Sequence, residues 1–170
     1  SLNRSAVDLA CQARDEVSAE RPVAVAGSIS TFLSVSTFEV EERIHHLPRQ
    51  ARANYLDQAR ILAQAGVDLL VLEMMQDIEH TGYAIEAALA TGLPVWVGFS
   101  CSTRADGEVA LRDGGTESFA QALGELLSPE IALASVMHTD IEDTVPALQV
   151  LADNWPGPIG CYPHRGPSQE

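Results

Sequence analysis

Along most of the chain, stretches in which apolar residues return every three or four positions alternate with short runs that are apolar almost throughout. From Asn3 to Val17, residues Ala6, Leu9, Ala10, Ala13 and Val17 share one face while Asp8, Arg14, Asp15 and Glu16 fall elsewhere, the spacing of an amphipathic helix. The run from Pro22 to Gly27 is short, rich in β-branched residues and closed by glycine, as a buried strand would be. The same alternation recurs with helix Arg49–Ala65, a stop at Gly66 and strand Val67–Glu73. Helix Asp77–Thr91, closed by Gly92, then leads to strand Pro94–Phe99. Helix Ser118–Leu127 leads to strand Ile131–Met137, and helix Ile141–Asp153 to strand Pro158–Tyr162. The pattern therefore predicts five helix–strand units.

Apolar strands alternating with amphipathic helices imply a parallel sheet with covered faces, either an open doubly wound sheet or a closed barrel. Periodicity alone does not choose between them. No internal repeat, low-complexity segment or linker divides residues 1–170, which reads as a single domain. The segment from Ser28 to Pro48 is the exception to the compact pattern: about 20 residues join a strand to a helix where 2 to 6 is usual. Its acidic run Glu39, Glu41, Glu42 fits a solvated surface turn. The tail from Arg165 to Glu170 is expected to fray.

Charge narrows the possible partners. Ten lysines and arginines stand against 24 aspartates and glutamates, for a net charge of −14, which repels phosphate backbones and anionic lipid surfaces. Nucleic acid and membrane are thus not expected as partners. No apolar run approaches the roughly 20 residues of a membrane span, and no charged-then-apolar leader opens the chain, so a cytoplasmic location is expected. Cys11, Cys101 and Cys161 are odd in number and form no C-x-x-C pair, which indicates neither a disulfide framework nor a zinc ribbon. Phosphate-cradling, dinucleotide, serine-hydrolase and H-E-x-x-H motifs are missing.

Five collinear segments carry a resemblance. Ala6-Val-Asp-Leu-Ala-Cys-Gln-Ala-Arg14 and the strand end Val25-Ala-Gly-Ser-Ile-Ser30 come first. Tyr55 to Glu73 follows, with Ala65-Gly-Val-Asp-Leu-Leu-Val-Leu-Glu73. Pro94-Val-Trp-Val-Gly-Phe-Ser100 precedes Asp106-Gly107, and Tyr162-Pro-His-Arg-Gly166 comes last. Together they resemble the homocysteine S-methyltransferase family from the helix before its third strand to the end of its seventh. The resemblance implies an α/β, parallel (β/α) TIM-barrel-like fold with five of eight units present, a partial barrel whose functional groups lie at the carboxyl ends of the strands.

The resemblance also implies a chemistry, methyl transfer to a thiol such as homocysteine. Family enzymes hold zinc with one cysteine after the sixth strand and an adjacent cysteine pair near the eighth, and the zinc binds the substrate sulfur as a thiolate. Here the first position reads Ser135-Val-Met-His138, with histidine in place of cysteine, and no cysteine pair follows. Zinc is therefore implied by the resemblance although its ligands are largely missing, and His138 is the metal-ligand candidate. The resemblance gives Glu73 a role in binding the substrate amino group. Ser28, Ser30 and Ser100, which follow strands, are candidate hydrogen-bond donors to a small polar ligand. Met74, Met75 and Met137 would make a soft apolar wall, and Tyr162 and His164 would line the rim. His45, His46 and His80 have no metal-ligand spacing and read as surface residues.

Two functions are compatible with these residues. One is a homocysteine S-methyltransferase-like protein acting on a small-molecule thiol or amino acid. The other is a non-catalytic, barrel-derived protein that binds a small molecule or associates with itself. Five parallel strands leave two open edges, so a homo-oligomer, or a partner that completes the barrel, is expected.

Overall fold

The computed structural model describes residues 2–17, 21–30, 48–113 and 115–164. Helix α1 (Leu2–Val17) precedes strand β1 (Ala26–Ser30), α2 (Pro48–Ala65) leads to β2 (Leu69–Met75), and α3 (Ile78–Leu89) leads to β3 (Val95–Phe99). A hairpin of β4 (Cys101–Thr103) and β5 (Val109–Leu111) follows β3; α4 (Phe119–Leu126) then leads to β6 (Leu133–Asp140) and α5 (Ile141–Asn154) to β7 (Ile159–His164). The five expected units are all present, and the hairpin is an addition to them. Beyond Ser30, the long segment with Glu39, Glu41, Glu42, His45 and His46 lies outside the described residues, as does the tail from Arg165.

Strand order separates the two architectures that periodicity left open. The five-stranded sheet runs β1-β2-β3-β6-β7, parallel throughout. A doubly wound sheet reverses direction at a switch point, whereas here each connection steps the same way. Right-handed crossovers that never reverse put all helices on one face, and consecutive helices do pack on one another, α1 on α2 through α4 on α5. This is the winding of a β/α barrel.

One contiguous core lies between sheet and helices. Ile29, Leu70, Leu72, Val95, Val97, Phe99, Ala134 and Val136 point to the helix side and are fully buried. Phe99 meets Phe119 of α4 edge to face, with ring centroids 5.4 Å apart, a favoured aromatic geometry. The opposite face carries the alternate residues and is only partly covered: β1 alternates exposed and buried, and Trp96 is 41% exposed. The expectation that both faces would be covered is thus met on the helix side alone.

Most strands begin and end further along the chain than their apolar runs suggest. β1 starts at Ala26, not Pro22, because a strand needs a neighbour and β2 first offers one at Leu69, the partner of Ala26. Just before this, Asp68 fastens the entry, with its carboxylate accepting from Val25 N at 2.7 Å and its own N–H donating to Val25 O at 2.8 Å. At the other end β6 continues past Met137 to Asp140, so His138 is part of a strand. Helix ends follow local chemistry. Asp77 caps α3 through His80 N, Ser118 and Gln121 form a reciprocal capping box on α4, and Gly66 takes a φ of 98° after α2, as helix-terminating glycines do.

Candidate functional site at the carboxyl end of the sheet

In a β/α barrel the loops and side chains beyond the strand carboxyl ends form the site, and two groups of candidate residues gather there. The first spans β1 and β2. Ser28 donates its hydroxyl to Glu73 Oε2 at 2.7 Å, while Ser30 and Glu73 are register partners. Glu73 is partly buried on the face away from the helices. It therefore has a partner for one oxygen and remains accessible, which meets the requirement that a carboxylate ending an apolar strand be paired or solvated.

The second group spans β3, β6 and β7. The imidazole of His138 meets the Tyr162 ring edge to face at 5.1 Å between centroids, and Tyr162 is 59% exposed. Met137, paired with Tyr162 in register, is buried and lies across Gly98 of β3, where a side-chain carbon would overlap its thioether. Only glycine leaves room for that methionine. β3 lies between β2 and β6 in the sheet, yet the two flanking strands also approach each other directly, which brings the two groups to one mouth.

Both flanking strands are kinked where they reach the mouth. Met74 in β2 and His138 in β6 have φ of 56° and 49°, left-handed values that cost a non-glycine residue about 1–3 kcal/mol and are held only by strong surroundings. Register shifts occur at the same places, between Leu72 and Met75 and between Met137 and Asp140, as expected of bulges that redirect side chains beside a site. Nothing in the sequence marked these positions, since neither residue is glycine or asparagine.

Several candidates have other employment. Ser100 is fully buried and its hydroxyl donates to the His138 carbonyl at 3.0 Å, so it supports the mouth and does not face a ligand. Met75 is a core residue on the helix side and no part of an apolar wall. His80 is partly buried, with its ring edge-on to Tyr55 and Tyr83. Tyr55 shares that environment, and burial together with the charge of Asp77 pushes its phenol up to about 12.

The cysteines do not join His138. Cys101 is fully buried in the core, and burial pushes its thiol well above the usual range, making it an unreactive packing group. Cys161 is exposed and lies on β7 opposite Val136, on the helix side of the sheet. Among the described residues no group of three histidine, cysteine, aspartate or glutamate side chains is arranged to hold a metal ion. The described residues do not fit the zinc that the resemblance implies. Among the same residues no helix is long and apolar enough to cross a membrane.

Comparison with known proteins gives a consistent picture. A family model described as homocysteine S-methyltransferase matches residues 1–170. Among solved structures, the homocysteine methyltransferase MmuM from Escherichia coli is similar in its apo form, with a TM-score of 0.75 and 24% identity over 97% of this chain and 60% of that one. Its oxidized form gives a TM-score of 0.77 and 25% identity over 98% and 57%. Its metallated form gives 0.74 and 24% over 97% and 58%. The chain thus spans about three-fifths of the length of these structures. No match was found among curated proteins.

Proposed function

The chain belongs to the homocysteine S-methyltransferase family, and we propose that its strand ends bind the amino-acid end of a thiol substrate such as homocysteine within a methyl-transferring barrel. The observation that carries this reading is the Ser28–Glu73 pair. A carboxylate held at 2.7 Å by a neighbouring hydroxyl, at a strand carboxyl end and open on the face away from the helices, is a ready acceptor for a substrate ammonium group. Because Ser28 occupies one oxygen, Glu73 is oriented before the ligand arrives. Tyr162 and the Met137 thioether supply apolar surface for the rest of a short side chain.

Titration calorimetry of the 170-residue chain with L-homocysteine tests this. Glu73→Gln keeps the shape and removes the charge, and is expected to weaken binding by about tenfold or more, as loss of a charge-assisted contact does. Equal affinity of the wild type and Glu73→Gln would refute the assignment.

A second reading is favoured by one observation, the partly uncovered sheet face with Trp96 41% exposed. That surface, with β1 and β7 at the two ends of the sheet, suits association with a second copy or a partner that completes the barrel.

A further inference from the structure

The β4–β5 hairpin stitches together the two kinked strand ends. Ser100 N donates to Met75 O at 3.0 Å and Asp113 N to Gln76 O at 2.9 Å, which fastens the end of β2. On the β6 side, Cys101 N donates to Thr139 Oγ1 at 2.9 Å. The kink at His138 turns its carbonyl toward the hairpin, where two donors receive it: Ser100 Oγ at 3.0 Å and Arg112 Nη2 at 3.3 Å. Arg112 Nε also donates to Ser100 Oγ at 3.3 Å. One guanidinium thus grips both the carbonyl and the hydroxyl that shares it.

We propose that Arg112, acting with Ser100, is the positioning residue of the mouth: it holds His138 in its left-handed backbone and so keeps the imidazole against Tyr162. A left-handed non-glycine residue persists only where its surroundings over-determine it, and a carbonyl gripped by a charged donor and a buried hydroxyl is such a constraint. The ion pair with Asp140 does not explain Arg112 equally well. At 3.8 Å, with both side chains more than a third exposed, it contributes little. The planar fork fixes its two donors toward Ser100 Oγ and His138 O, whereas a lysine ammonium, a point charge on a flexible stem, carries no such preset geometry. The effect on ligand affinity rests on the proposed function; the effect on His138 does not.

The test uses the full chain labelled with ¹³C and ¹⁵N at histidine. The His138 imidazole protons, assigned by His138→Gln, should carry a ring-current shift from Tyr162 that Tyr162→Leu removes. Arg112→Ala, Arg112→Lys and Ser100→Ala are each expected to move the signal toward its Tyr162→Leu position, while Asp140→Asn leaves it in place. L-homocysteine affinity should fall by roughly two- to tenfold in Arg112→Lys, the worth of the His138–Tyr162 ring contact that borders the proposed ligand. An unmoved imidazole signal in folded Arg112→Lys and Ser100→Ala would overturn the proposal, as would an equal movement in Asp140→Asn. Should Arg112→Ala not fold, the other two variants decide. A wild-type chain that binds no L-homocysteine refutes the ligand reading, and the imidazole signal still judges the clamp.

Discussion

At Gly98 the absence of one carbon sets the packing of the sheet face. A Cβ there would stand 2.7 Å from Met137 Cγ and overlap the atoms beyond it, so Gly98→Ala must push the thioether off the β3 backbone. Overpacking of this kind costs about 1–3 kcal/mol, and the flexibility of methionine favours the lower end. Met137→Ala removes the obstacle, so the double variant should lose at least about 0.5 kcal/mol less than the sum of the singles when all are unfolded in urea. Strict additivity would mean the two residues do not meet. Legibility at this scale was uneven. Glu73 stood out as a carboxylate ending an apolar strand, and Ser28 as a hydroxyl on the preceding one. Arg112 gave no signal, because its role depends on the backbone at His138, and a left-handed histidine looks like any other in the sequence.

Elements were more legible than residues, and their ends show why. The helix expected from Ser118 starts there in the fold, where Ser118 and Gln121 close a capping box with bonds of 3.2 and 2.8 Å. Ser118→Ala should therefore destabilise the protein by about 1 kcal/mol, read as a lower thermal midpoint, with Ser118→Asp retaining most of the stability. An unchanged midpoint for Ser118→Ala would show that α4 is held by its buried face alone. The β4–β5 hairpin went unpredicted although Asp106-Gly107 lies between Thr103 and Val109, a pair that often turns hairpins. Gly107 takes a φ of 87°, and Arg104 N reaches Glu108 O at 2.8 Å across the turn. Three-residue strands are too short for alternation to show, which explains the omission. Strand limits shifted for a different reason: pairing depends on what the neighbouring strand offers, and an apolar run carries no record of that.

For the whole molecule, the barrel-like winding followed from the family resemblance, since alternation alone also allowed an open sheet. What lay beyond the sequence was the state of the second face. Its exposure motivates a prediction about assembly: in solution the chain should have the native mass of a dimer or larger species. Trp96→Glu, which places a charge on that face, should shift it toward the monomer without a large loss of helix content. Light scattering that finds a wild-type monomer at all concentrations would discard self-association and leave small-molecule binding as the reading to pursue. The net charge of −14 opposes association at low ionic strength, so added salt should favour the larger species through screening.

The unbroken strand order has a consequence for how such a chain is made. Each strand of the five-stranded sheet lies beside the strands nearest to it in sequence, apart from the short hairpin. Most of the contacts therefore join adjacent units, and no late segment must be threaded between earlier ones. Loop-closure costs are met in small instalments, a condition that speeds folding. A sheet wound in this way can grow strand by strand from β1 toward β7 as it is synthesised, with each new helix–strand unit docking on the last, and every intermediate presents a fresh strand edge for the next to find.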